Sequence, residues 1–319
     1  MSTAKYYVFS DVHGETRALR ALFNLVGFQK KSDTHYVSEE NNLIVFIGDL
    51  VDRGRDHVGA IKIARDTADI TLLGNHELNN MWFATKVDGQ YLRPHTKFNV
   101  DQHKSFVNQV TWGSADHDYA LKFFQERPVF TELEGGVHLA HACWHQESID
   151  YLKSSGALGK DNQLGRDGIQ AFIEDEDFKN ALEMVLYGPR QKLPEGFTIV
   201  DSHGVEREYA RNLWMLSTSH LADKLDLNGG ELTPWQRDFV NARALGRDFG
   251  AATGLTVTGH YSLEGKPRVP KAGATCCCID FGHYLTALAV TAAAAATNDQ
   301  KFDQNNMTSV PIEPSLIAA

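Results

Sequence analysis

A chain of 319 residues, 42% of them hydrophobic, can bury a large core as one elaborate domain or two modest ones. Its formal charge of -10 and isoelectric point near 5.8 argue against a standing attraction to nucleic-acid backbones or anionic membranes. No segment offers the ~20 apolar residues that span a bilayer, and Met1-Ser2-Thr3-Ala4-Lys5 lacks a signal peptide's apolar stretch, so the expectation is a cytoplasmic protein without a membrane partner.

In chain order, Tyr6-Tyr7-Val8-Phe9 reads as a buried strand and about 15–26 as a helix. Leu43-Ile44-Val45-Phe46-Ile47 reads as the next strand, followed by a helix over about 57–68. Ile70-Thr71-Leu72-Leu73 is a third strand, with helical segments from Leu78 through Gln125. This alternation up to about Ala140 predicts an α/β fold. Residues 129–133 and 137–140, separated by Glu134-Gly135-Gly136, read as a hairpin leading into His141.

From about 146 to 250 the chain is richer in charge and helical pattern, which predicts a helical insertion covering the site. Residues 255–258, 274–280 and 284–290 read as strands that finish a second sheet. The expected main domain therefore covers 1–290. The tail, 291–319, has an alanine run and a polar stretch with too few apolar residues to pack, and is expected to be flexible. Cys143 and the run Cys276-Cys277-Cys278 form no C-x-x-C pattern and read as reduced core thiols.

Metal-ligating residue types stand just after four of the apolar runs: Asp11-Val12-His13-Gly14, Gly48-Asp49-Leu50-Val51-Asp52-Arg53-Gly54, Gly74-Asn75-His76-Glu77 and Gly259-His260. Side chains two residues apart at a strand end point the same way, so Asp11 and His13 can share one cation. Asp49 has two carboxylate oxygens and can bridge to a second cation, completed by the neutral ligands Asn75, His141 and His260. Such a pair, about 3.5–4 Å apart, polarises a phosphoryl oxygen and turns a bridging water into hydroxide. Mixed oxygen and nitrogen donors suit manganese, iron or zinc better than calcium without choosing among the three, and manganese is the expectation.

A lone aspartate before a helix is as readily an N-cap as a ligand. Gly-Asp-x-x-Asp-Arg-Gly followed by Gly-Asn-His-Glu, with Asp-x-His upstream, is much harder to reach by chance. His76, next to the ligand candidate Asn75, suits a general acid, with Asp52 as the carboxylate that raises its pKa. Arg53 presents a planar fork of donors suited to phosphate oxygens.

On these motifs, over about 5–290, the chain resembles the calcineurin-like metallophosphoesterases, and among them the phosphoprotein-phosphatase branch of bacterial and phage type. The resemblance implies a four-layer β-sandwich of two mixed sheets flanked by helices, with two metals at one edge. It implies Asp11, His13 and Asp49 around one metal and Asp49, Asn75, His141 and His260 around the other, with His76 and Asp52 as acid and partner. His138 and His145 compete with His141, which is preferred for the strand before it and the small residues after it. The branch's second phosphate-binding arginine falls on Arg211 or Arg190, and Arg211 is preferred. Leu73 stands where many members have arginine.

The implied activity is in-line hydrolysis of a phosphomonoester, with a phosphoprotein or small phosphoester as partner. The alternatives are a symmetrical dinucleoside-tetraphosphate hydrolase, a nucleic-acid phosphodiesterase, which the acidic balance disfavours, and a non-catalytic metal-holding scaffold. Trp144, Trp214 and Trp235 are candidate pocket walls, although tryptophans more often serve the core. Tyr261 could either reach a phosphate oxygen or pack.

Overall fold

The computed structural model describes residues 5–200, 206–215, 225–227, 231–243, 254–270, 275–291 and 302–312. Among these, a five-stranded mixed sheet runs Met307–Pro311, Tyr284–Thr291, Lys5–Phe9, Leu43–Phe46, Ile70–Thr71. The last three are mutually parallel and the first two pair antiparallel. A four-stranded sheet runs Cys276–Cys278, Thr256–Thr258, Val137–Ala140, Phe130–Leu133, with only the Phe130–Leu133 hairpin arm antiparallel.

Side-chain alternation splits each strand between two cores. Tyr6, Val8, Val45 and Ile47 meet Val137, Leu139, Val257 and Cys277 in a cluster between the sheets. On the outside, Phe9 and Phe46 pack with Leu19, Leu22 and Phe23 of the Thr16–Leu25 helix and with Ala60 and Ile61 of the His57–Thr67 helix. Phe130 and Ala140 join Ile149, Leu152, Phe178 and Leu182 on the other side. The result is the helix, sheet, sheet, helix layering expected of a metallophosphoesterase fold.

Several boundaries differ from the sequence reading. Helix starts at Asn75, not Leu78, giving Asn75–Ala84, and a short pair of strands, Lys86–Val87 and Gln90–Tyr91, separates it from Lys97–Val110 and Ala115–Gln125. Tyr284–Thr291 belongs to the first sheet rather than the second: its interior is buried on both faces, which suits a strand flanked by Lys5–Phe9 and Met307–Pro311. The expected flexible tail is corrected at Met307–Pro311, an edge strand that needs only Met307 and Val310 for its two faces because its backbone pairs do the rest.

The stretch expected to be a helical insertion is of two kinds. Gln146–Ser154, Gly165–Glu174 and Glu176–Tyr187 are helices of the outer layer, sharing the main core. Beyond them, among the described residues, Arg190–Lys192, Tyr209–Asn212 and Leu225–Asp226 form a small sheet beside the pair Ile199–Val200 and Glu206–Arg207, before the helix Pro234–Arg243. This part has its own small core of Leu193, Ile199, Ala210, Leu225, Leu232 and Val240. Among the described residues no helix is long and apolar enough to cross a membrane.

Candidate active site

Lys5–Phe9, Leu43–Phe46 and Ile70–Thr71 run parallel in one sheet, as do Val137–Ala140 and Thr256–Thr258 in the other. Asp11, Asp49, Asn75, His141 and His260 therefore all leave carboxyl ends of strands. The first two loops are laced together: Val12 N and His13 N donate to Asp49 O at 3.0 and 2.8 Å, and Gly14 N donates to Leu50 O at 2.8 Å. His13, Asp49, Asp52, Arg53 and His260 all have positive φ, a conformation that non-glycine residues hold only under surrounding constraint. Glycine is required beside them: a Cβ on Gly259 would strike Asp11 Oδ1, and Gly48 has a φ of +108°.

Asp49 faces two donor groups, one per oxygen. Its Oδ2 lies 3.7 Å from His13 Nε2 and 3.9 Å from His76 Nε2. Its Oδ1 lies 3.4 Å from His141 Nε2. Asn75 Oδ1 is 2.9 Å from that same His141 nitrogen and 2.7 Å from His260 Nδ1. The donor atoms of His13, Asp49 and His76, and those of Asp49, His141 and His260, each gather within 4.8 Å of one another. His13 Nδ1 and His141 Nδ1 bond the carbonyls of Val51 and Ile47 at 2.8 and 2.9 Å, an arrangement that leaves Nε2 of each ring for a cation.

Asp11 receives the backbone N–H of His260, 3.0 Å from its Oδ2. Burial pushes the Asp11 carboxyl up, and the charges of Asp280 and Asp49 push it further. Burial pushes Asp280 up too, against the opposing charge of Arg53. Three buried carboxylates crowded together fit a cationic occupant, and the oxygen and nitrogen donors around them fit a transition metal. Burial holds His13 and His260 well below the ordinary histidine range, helped by Arg53 and Arg211 respectively, so both rings are neutral as ligands must be. At His141 burial is outweighed by the Asp49 carboxylate, and its pKa stands at about 10.

Beside this cluster, His76 Nδ1 lies 2.7 Å from Asp52 Oδ2. Burial alone would raise Asp52, but hydrogen bonds from His103 and His76 hold its carboxyl well below the usual range. Asp52 is thus ionised, His76 Nδ1 must carry the proton, and His76 Nε2 is left facing the Asp49 side of the site. Glu77 ties the loop from beneath: its Oε2 accepts from Asp49 N and Gly74 N at 2.8 and 3.0 Å, and its Oε1 from Leu50 N and Val51 N at 2.8 and 3.2 Å.

Asp11, His13, Asp49, Asn75, His141 and His260 thus lie together, with Asp52 and His76 adjoining. Of the competing histidines, His138 stacks on Trp144 with ring centroids 4.0 Å apart, and His145 caps the Gln146–Ser154 helix. Arg53 and Arg211 are exposed, their charges felt by His13 and His260. Arg190 sits directly opposite Arg211 across the strand pair, against the Tyr187 ring. Tyr261 packs: it is buried with Cys143, Trp214, Cys276 and Cys278. Trp144 is likewise in the core, whereas Trp235 is exposed.

Asn80, His103 and Asp280 lie outside the sequence motifs, and Glu77 stands in one of them with no role read for it. Asp280 had a signal of the same kind as the others, since it follows the apolar strand Cys276–Cys278.

A family model described as calcineurin-like phosphoesterase matches residues 4–215. A bis(5'-nucleosyl)-tetraphosphatase (asymmetrical) of Oceanobacillus iheyensis is 26% identical over 145 residues, covering 43% of this chain and 56% of its own. A symmetrical bis(5'-nucleosyl)-tetraphosphatase of Proteus mirabilis is 27% identical over 139 residues, covering 43% of each chain. The chain thus spans about half the length of these curated relatives. Among solved structures, the cold-active protein-tyrosine phosphatase of a Shewanella species is 13% identical with a TM-score of 0.47, over 98% of this chain and 81% of that one.

Proposed function

The chain belongs to the calcineurin-like phosphoesterase family, and from that membership, which implies a metal-dependent phosphoester hydrolase, we propose a two-metal phosphomonoesterase of the protein-phosphatase branch. Asp11, His13 and Asp49 would hold one cation, and Asp49, Asn75, His141 and His260 the other, with manganese the first choice and iron or zinc the alternatives. Two such cations supply charge that polarises the phosphoryl oxygens and makes a water nucleophilic.

The observation that carries this reading is the Asp52–His76 pair beside the two-faced Asp49. An imidazole whose Nδ1 is held by a buried carboxylate and whose Nε2 faces the ligand cluster can deliver a proton there, which phosphoester hydrolysis needs at the departing oxygen. Arg53 and Arg211 are the cationic side chains that would hold the phosphate oxygens. As water attacks phosphorus in line, the ester P–O bond breaks and His76 Nε2 gives its proton to the departing oxygen. Asp52 keeps the ring oriented through its bond to Nδ1.

A second reading, hydrolysis of a dinucleoside tetraphosphate, is favoured by the names of two curated relatives. The cross-strand neighbour of Arg211, Arg190, would offer a longer phosphate chain a further cation. The deciding experiment compares manganese-loaded protein on a phosphopeptide, diadenosine tetraphosphate and a phosphodiester. Orthophosphate from the phosphopeptide supports the first reading. Nucleotide products from the dinucleotide alone support the second, and silence on all three overturns both.

A further inference from the structure

We infer that His103 is a positioning residue for the proposed acid: it clamps Asp52 so that this carboxylate can orient His76. The inference rests on the reading of His76 as the proton donor to the leaving oxygen. Asp52 Oδ2 lies 2.7 Å from His76 Nδ1 and 3.0 Å from His103 Nδ1. An ionised carboxylate only accepts, so both ring nitrogens donate to the same oxygen. Asn80 Nδ2 completes the cradle, donating to Oδ2 at 3.2 Å and Oδ1 at 3.3 Å.

The clamp is built from separate parts of the fold. His76 and Asn80 belong to the Asn75–Ala84 helix, Asp52 to the loop after Leu43–Phe46, and His103 to the Lys97–Val110 helix. Asp52 is fully buried and sits at a φ of +64°, so its own backbone does not hold it in an easy minimum. A second acceptor stands ready to redirect the His76 ring, since Asp49 Oδ2 is 3.9 Å from His76 Nε2. Fixing Asp52 with a donor from another helix keeps the ring on one partner.

His103 also carries a cost that packing does not explain. Its ring is fully buried and lies 5.1 Å from that of Phe83, a setting that phenylalanine would fill. Its Nε2 is buried without a hydrogen-bond partner among the described residues. A buried polar atom so left is unfavourable, and an apolar ring would remove it. Histidine at this position is therefore accounted for by what its Nδ1 does to Asp52.

The test compares the full chain with its His103→Phe and His103→Asn variants, all manganese-loaded, on p-nitrophenyl phosphate and on phenyl phosphate, whose leaving group is poorer. His103→Phe keeps the ring and loses the donor, whereas the Asn amide nitrogen stands near where Nδ1 stood. The expected result for His103→Phe is a fall in kcat of about tenfold on phenyl phosphate. The fall should be smaller on p-nitrophenyl phosphate, KM should stay within about twofold, and His103→Asn should recover most of the loss. In metal-free protein with isotope-labelled histidine, the hydrogen-bonded His76 Nδ1–H resonance should persist in wild type and His103→Asn and broaden or vanish in His103→Phe.

Equal loss on the two esters, unchanged kcat in His103→Phe, or a fall that merely follows the melting temperature would overturn the inference. If the wild type hydrolysed neither ester, the proposed function would fall, and the ring-proton comparison would still decide the clamp.

Discussion

Asn75 Oδ1 lies 2.7 Å from His260 Nδ1, joining the N-terminus of a helix in the first third of the chain to a loop near its end. Both atoms are neutral ligand types, and both stand on the Oδ1 side of Asp49 with His141. Replacing Asn75 by alanine should therefore empty one half of the centre, whereas Asp49→Asn should disable both halves, because Asp49 alone faces both donor groups. Bound manganese measured after equilibrium dialysis is expected to fall from about two ions to about one in Asn75→Ala, and lower in Asp49→Asn. Equal occupancy in both variants would separate Asp49 from any bridging role.

Proton balance gives a second test. In the metal-free protein His141 stands at about 10, against 6.5 for an ordinary histidine, and the Asp11 carboxyl is also raised. For a group raised on folding, the stabilisation is complete below its unfolded value and is lost as pH rises through its folded value. Metal-free protein should thus lose stability between roughly pH 6.5 and 10. Metal must displace the His141 proton, so manganese binding should release protons and tighten with pH over the same interval. Calorimetry in buffers of different ionisation heat reads the released protons, and no buffer dependence would contradict this assignment.

The ligand candidates were legible because each follows a short buried strand, and strand ends at one edge of a sheet converge whichever loops join them. His76 and Asp52 were legible from their motifs. Asn80 was hidden by a boundary: with the helix read from Leu78, the four-residue spacing that puts Asn80 over His76 had no meaning, whereas the helix from Asn75 makes them neighbours. His103 carried no signal at all, since its contact with Asp52 exists only through the packing of one helix on another. Likewise, the apolar run of 284–290 announces a strand without saying which sheet it joins.

Glu77 is the residue whose loss should damage the fold most directly. Its two oxygens accept four backbone N–H groups, from Asp49, Leu50, Val51 and Gly74, although burial and the Asp49 charge push its carboxyl up to about 8. Glu77→Gln puts an amide donor against N–H donors and should cost ~2–4 kcal/mol. Urea unfolding of the metal-free variant measures this, and a midpoint equal to that of wild type would show that the clamp is dispensable.

Cys143, Cys276, Cys277 and Cys278 are free and buried. Burial pushes the Cys276 thiol up to about 12 and raises the other three well above the ordinary range. Only a thiolate attacks a disulfide reagent, so the native protein should consume almost none at pH 8, and all four thiols should react in denaturant. Fast titration of any of them in the native state would reveal a reactive cysteine where the core packing leaves no room for one.

Removing residues 302–319 tests the last strand. Met307–Pro311 covers the edge of Tyr284–Thr291, and Met307 and Val310 close the two cores on that side. Truncation would leave a long, apolar strand with a free row of backbone groups, the usual template for pairing with another chain. The shortened protein should melt lower and form higher-order species in light scattering at concentrations where the full chain does not. Metal occupancy in whatever monomer remains should be little changed, because the proposed ligands follow the opposite members of the sheet and the facing sheet. Loss of occupancy without loss of stability would tie this edge to the centre through Tyr284–Thr291, where Thr286 exchanges hydrogen bonds with Ser10 beside Asp11.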